Sequence, residues 1–62
     1  MKIVLRHTYY DFMKEFNSKT ELVGACIDMK EHQGLKYSDS QIKKMKICEL
    51  VENFYRTFRI EE

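Results

Sequence analysis

Tyr9-Tyr10-Asp11-Phe12-Met13-Lys14-Glu15-Phe16 is the stretch on which the fold turns. Tyr9, Phe12, Met13 and Phe16 recur at i, i+3, i+4 and i+7, the spacing that puts four large apolar side chains on one helical face. Thr8 stands directly before the stretch, with Asp11 three residues further on. That pattern matches a capping box, in which a hydroxyl accepts from the third helical N–H and a polar side chain there reaches back to the cap. Residues 9–16 are therefore predicted as a first helix of about two turns, closed by Asn17.

The same cap pattern recurs at Ser18-Lys19-Thr20-Glu21 and at Ser38-Asp39-Ser40-Gln41. Glu21 and Gln41 are longer than Asp11 and fit the reach-back role better. A second helix is predicted over about residues 19–33, with Leu22, Ala25, Cys26 and Met29 on one face and Gly34 as its C-terminal stop. A third is predicted over about residues 39–58, where Ile47, Cys48, Val51, Phe54, Tyr55 and Phe58 form a broad stripe opposite Lys46, Glu49, Asn53 and Arg56. Lys2-Ile3-Val4-Leu5-Arg6 is too short and too β-branched to open a helix, and reads as an extended arm over residues 2–6. The expected fold class is all-α: a small three-helix domain, residues 1–62 forming one unit, with a short extended N-terminal arm.

The alternative is a small α+β fold with strands at residues 2–6, 22–29 and 35–37. Gly24 lends it some weight, because glycine costs a helix interior about 1 kcal/mol relative to Ala. Among residues 20–29 only Thr20, Val23 and Ile27 are β-branched, which favours the helix there.

Composition narrows the function classes. The 62 residues are 44% hydrophobic and 34% charged, too apolar for a disordered tail and sufficient for one small core. A chain of this length buries only about 60% of the surface its unfolded form exposes, so a second molecule often completes such a domain. The longest apolar runs, such as Ile3-Val4-Leu5, span three residues. They are too short for a membrane span or the apolar core of a signal peptide. Residues 1–20 carry four basic and two acidic groups, residues 21–40 two and four, and residues 41–62 five and four, for a net charge of +1. Phosphate neutralisation supplies most nucleic-acid affinity, so this balance weighs against a nucleic-acid partner.

Cys26 and Cys48 stand alone, without the paired spacing of a zinc site, and point to a reducing cytoplasm. If the second and third helices form an antiparallel hairpin, both lie at similar depth on apolar faces and become core neighbours. His7 and His32 read as capping or surface residues, with no second ligand at chelating distance. Two glycines in total cannot build a phosphate-cradling loop, and Asp11 with Glu15 is the only carboxylate pair at i,i+4. No catalytic residue, metal site or cofactor is expected.

Binding is the expected activity. The second helix carries an apolar arc of about 200°, wider than one contact needs. Val23 and Ile27 lie off the Leu22–Met29 side, beside Gly24, which would let another backbone approach. Together with Tyr10 they form the expected protein-interface set, facing a protein partner or a second copy in a homodimer. The chain is thus expected to be a small non-enzymatic regulator or inhibitor, cytoplasmic, of the kind that phages and mobile elements encode in small reading frames. The alternative is a dimeric DNA-binding regulator. In a helix-turn-helix outline Gln41, Lys43 and Lys44 would head the recognition helix; in a ribbon-helix-helix outline the arm would pair with its copy.

Overall fold

The computed structural model describes residues 2–34 and 36–61. Strand β1 (Ile3–His7) is followed by β2 (Met13–Phe16), then helices α1 (Lys19–Lys30), α2 (Asp39–Lys44) and α3 (Ile47–Phe54), and finally β3 (Phe58–Ile60). The sheet order is β2-β1-β3, antiparallel throughout. The fold is therefore α+β, which overturns the expected all-α class. The alternative sheet is corrected as well: residues 22–29 lie within α1, Leu35 lies outside the described residues, and only the N-terminal segment is a strand.

The predicted arm became the centre of the sheet because its backbone can be satisfied on both sides. Ile3 pairs with Phe16 and Leu5 with Lys14 on one edge; Leu5 pairs with Ile60 and Arg6 with Arg59 on the other. Alternation does the rest. Ile3 and Leu5 are buried under the helices, whereas Val4 is half-buried and Arg6 exposed on the opposite face. Charged residues sit on both outer strands, Lys14 and Glu15 in β2 and Arg59 in β3, which discourages edge-to-edge aggregation.

The helix predicted over residues 9–16 does not form, and its cap residue shows why. The Thr8 hydroxyl donates to the Thr57 carbonyl across the sheet at 3.0 Å, beside the Thr8 N–H to the same oxygen at 2.8 Å. A two-turn helix is marginal alone, while Met13–Phe16 laid along β1 gains a ladder and covers the strand's edge. The other two caps behave as the sequence predicts. Ser18 accepts from the Glu21 N–H at 3.3 Å, although the Glu21 carboxylate reaches past it to the Asn17 N–H at 2.7 Å. Ser38 and Gln41 form the full reciprocal box, at 3.2 and 2.8 Å.

The predicted third helix is broken in two. Met45 adopts extended backbone (φ −69°, ψ 146°), and Lys46 starts α3 with its N–H donated to the Glu49 carboxylate at 3.3 Å. A straight helix over residues 39–58 would be about 30 Å long, as long as the greatest extent of the whole molecule, 31 Å. Breaking it lets α2 and α3 wrap one small core and bury both Ile42 and Leu50 completely. The chain then turns after Tyr55 and returns as β3.

The core joins Ile3 and Leu5 of β1 to Leu22, Val23 and Cys26 of α1, Ile42 of α2, and Leu50, Val51, Phe54 and Tyr55 around α3. Lys30 clasps the α1–α2 connection, its ammonium donating to the Tyr37 carbonyl at 3.3 Å and to the Asp39 carboxylate. That ammonium holds the Asp39 carboxyl below the usual carboxylate range. The Tyr37 hydroxyl donates to Asn53 at 3.2 Å, tying the same connection to α3.

Cys26 and Cys48 are not core neighbours. Cys26 is buried and burial pushes its thiol up to about 11, while Cys48 is exposed on the outside of α3. A haloacetamide at neutral pH should therefore label one cysteine in the folded chain and two in denaturant, as mass spectrometry would count. Gly24 is exposed within α1, and a Cβ there meets nothing within 4 Å. Gly24→Ala should therefore raise the unfolding free energy by about 1 kcal/mol in urea titration. A loss of stability would refute the open surroundings of this residue.

Candidate functional site

Burial of the core leaves one region of the molecule unusually apolar at its surface. Tyr9 is 80% exposed, Tyr10 72%, Phe12 48% and Met13 43%, all within the β1–β2 hairpin; Ile60, on the opposite edge strand, is 40% exposed. His7 builds this hairpin. Its Nδ1 accepts the N–H groups of both Tyr9 and Tyr10, at 3.1 and 3.2 Å, so the ring proton sits on Nε2. The Phe12 N–H donates to the Tyr10 carbonyl at 2.8 Å, and the His7 N–H to the Phe12 carbonyl at 2.9 Å, which closes the turn. The two tyrosines are thus held by backbone bonds, with their rings beside the imidazole and largely exposed.

The ridge continues inward as a chain of rings. His7 lies 5.0 Å from both Tyr10 and Phe58, and Phe58 lies 5.9 Å from Phe12 and 5.5 Å from Tyr55. Phe16 closes the series on Tyr55 at 5.9 Å. The edge-to-face packing of Phe58 on Tyr55, at 84°, is a favoured geometry for aromatic pairs. Lys14 of β2 sits over the Tyr55 ring, its ammonium 5.7 Å from the centroid. Burial raises the Tyr55 phenol above its ordinary range.

Beyond Phe58 the ridge opens into a cleft of about 480 Å³ between the ends of α1 and α3 and strand β2. A second depression, of about 560 Å³, lies at the end of the sheet between Arg6, Thr8 and Arg59. There Arg6 is committed to Glu61, Nε to Oε2 at 2.7 Å, and the guanidinium holds the Glu61 carboxyl below the usual carboxylate range. Among the described residues no group of three His, Cys, Asp or Glu side chains could share a metal ion, and no helix is long and apolar enough to cross a membrane.

The residues singled out from the sequence are scattered. Val23 is buried, with 8% exposure, and supplies core rather than surface; Ile27 is half-buried against that core. Tyr10 belongs to a different element, the hairpin, and is open to solvent. Lys43 and Lys44 are exposed at the end of α2, but the Gln41 side-chain oxygen is occupied by the Ser38 N–H. With six residues and Ile42 fully buried, α2 is shorter than the recognition helix envisaged from the sequence. Strand β1 has both edges bonded within its own chain, so it cannot serve as the intermolecular ribbon.

Tyr9, Phe12, Met13 and Phe58 carry helical spacing in the sequence, which assigns them to core faces, and Lys14 carries no signal of its own. One signal stood against that assignment: Ile3-Val4-Leu5 needs partners on both sides, and the nearest residues able to supply a strand were these. A comparison with known proteins finds no matching family model, no matching curated protein and no matching solved structure.

The role of His7 can be isolated by His7→Phe, which keeps a ring against Phe58 and removes the Nδ1 acceptor. Stability should change by no more than about 1 kcal/mol, while amide exchange at Tyr9 and Tyr10 becomes faster by NMR. Unchanged exchange at both amides would refute the imidazole as the organiser of the turn.

Proposed function

We propose that this chain is a small protein-binding module, acting as a regulator or inhibitor by occupying a surface of its partner rather than by catalysis. The observation that carries this reading is the concentration of exposed large apolar side chains on one hairpin: Tyr9, Tyr10, Phe12 and Met13. Exposed apolar side chains gathered on one element of a small protein mark interaction sites, and tyrosine is enriched at interface cores because it contributes area at low entropic cost. The backbone bonds to His7 support it further, since a preorganised turn loses little freedom on binding. A cytoplasmic location accords with two unpaired cysteines, one of them exposed.

The test is a pull-down from cytosolic lysate, with and without nuclease, using the wild-type chain and Tyr9→Ser/Tyr10→Ser. Both side chains are exposed, so the double variant should keep its circular dichroism and lose at most about 0.5 kcal/mol per site. A stoichiometric protein that survives nuclease and is lost from the variant is the expected result. A partner retained equally by the variant sinks the hairpin as the binding surface. Partners that vanish with nuclease would instead direct attention to Lys43 and Lys44.

A further inference from the structure

The cleft beyond Phe58 combines an aromatic floor with a rim of a single charge sign. Its floor is apolar: Phe54 and Tyr55 are buried, Met29 and Phe58 half-buried. Its rim carries two exposed cations, Lys14 from β2 and Arg56 from the turn after α3, and no acidic residue lines it. Arg6 is matched by Glu61 and Lys30 by Asp39, whereas Lys19 and Lys43 line a smaller depression of about 250 Å³ that has no acidic residue and no aromatic floor. Among the described residues neither Lys14 nor Arg56 has a salt-bridge partner. In a chain with a net charge of only +1, two unmatched cations over an aromatic floor are a local excess.

Two further features bear on what the cleft can receive. The carbonyl end of a helix repels negative charge, but here the Phe54 carbonyl is already engaged by the Gln33 side-chain amide at 3.3 Å. The cleft is also continuous with the aromatic ridge, since Phe58 touches Tyr55 on one side and both His7 and Phe12 on the other. A partner seated on Tyr9 and Tyr10 therefore has a direct path into it.

We propose that this cleft receives an acidic segment of the partner protein, with a carboxylate side chain held between Lys14 and Arg56 and an adjacent apolar side chain laid on Met29 and Phe58. This rests on the protein-binding reading above, and it names the chemistry of the partner. Charge pairing at such a rim governs selectivity and association rate, while the aromatic floor supplies the area.

The experiment is a selection of random displayed peptides on the immobilised chain, run in parallel on Lys14→Glu/Arg56→Glu and on the milder Lys14→Gln/Arg56→Gln. All four substitutions lie at exposed positions, and circular dichroism checks that each variant is folded. Peptides from the wild type should be enriched in Asp or Glu beside Phe, Tyr or Leu. A synthetic peptide of that consensus should bind about tenfold more weakly to the charge-reversed variant, weaken with added salt, and shift the NMR signals of Gln33, Tyr55 and Thr57. Peptides with no acidic enrichment, no peptide above background, or acidic peptides kept equally by both variants would each overturn the proposal. Its failure is separable from that of the module itself. If a partner protein is lost from Tyr9→Ser/Tyr10→Ser yet bound undiminished by Lys14→Glu/Arg56→Glu, the cleft proposal falls and the binding module stands.

Discussion

Every other feature of this structure follows from the need to satisfy both edges of β1. A five-residue strand carrying Ile3, Val4 and Leu5 cannot be left with unpaired backbone on either side without becoming a template for aggregation. The chain meets one edge with its nearest neighbours, Met13–Phe16, and the other with its far end, Phe58–Ile60. The second pairing draws together residues 49 and 55 positions apart, as in the Thr8–Thr57 bond and the Arg6–Glu61 bridge. That long closure forces the helical middle of the chain onto one face of the sheet. It also forces the last helix to end early enough for the chain to return.

The break between α2 and α3 is the clearest consequence. No Gly or Pro marks it; local caps at Lys46 and Glu49 make it affordable, and the short dimensions of the core make it necessary. Two fully buried side chains on separate short helices, Ile42 and Leu50, replace the single stripe of a long one. Cys48, which the long helix would have placed inside, turns outward, and Tyr55 closes the core at the point where the helix gives way to β3.

Closure around β1 also determines what is left over. The helices cover Ile3 and Leu5, but at His7 the sheet runs past them, and the side chains there pack on one another instead of on a core. The result is an aromatic ridge with tyrosines at its tip and a basic cleft at its base. Asp39 beside Lys30 and Glu61 beside Arg6 are both held below their ordinary range, so each favours the folded state above the unfolded carboxylate range. That preference fades as pH falls through the lowered values. Lys14 and Arg56 have no such match.

The legible parts of the sequence were those where the deciding interaction is local. Ser18 and Ser38 cap helices because the acceptor and donor lie three residues apart, and α1 and the start of α2 stand where their caps indicate. The extended character of residues 2–6 was equally readable from β-branching, and the strand stands one residue further along, at Ile3–His7. Thr8 carried the same cap signature and did not cap, because its hydroxyl found the Thr57 carbonyl across the sheet. The interface residues suffered likewise: Val23 looked spare on a helical wheel and is core once α1 lies over the sheet, while Tyr9, Phe12 and Met13 looked like core and stand in solvent. Helix caps and strand tendency were thus determined by the sequence itself, through interactions within one turn. Which strand is central, where the last helix breaks and which aromatic residues face outward were decided by the tertiary structure, because the sheet closes on partners some fifty residues away and the helices must then fit over it.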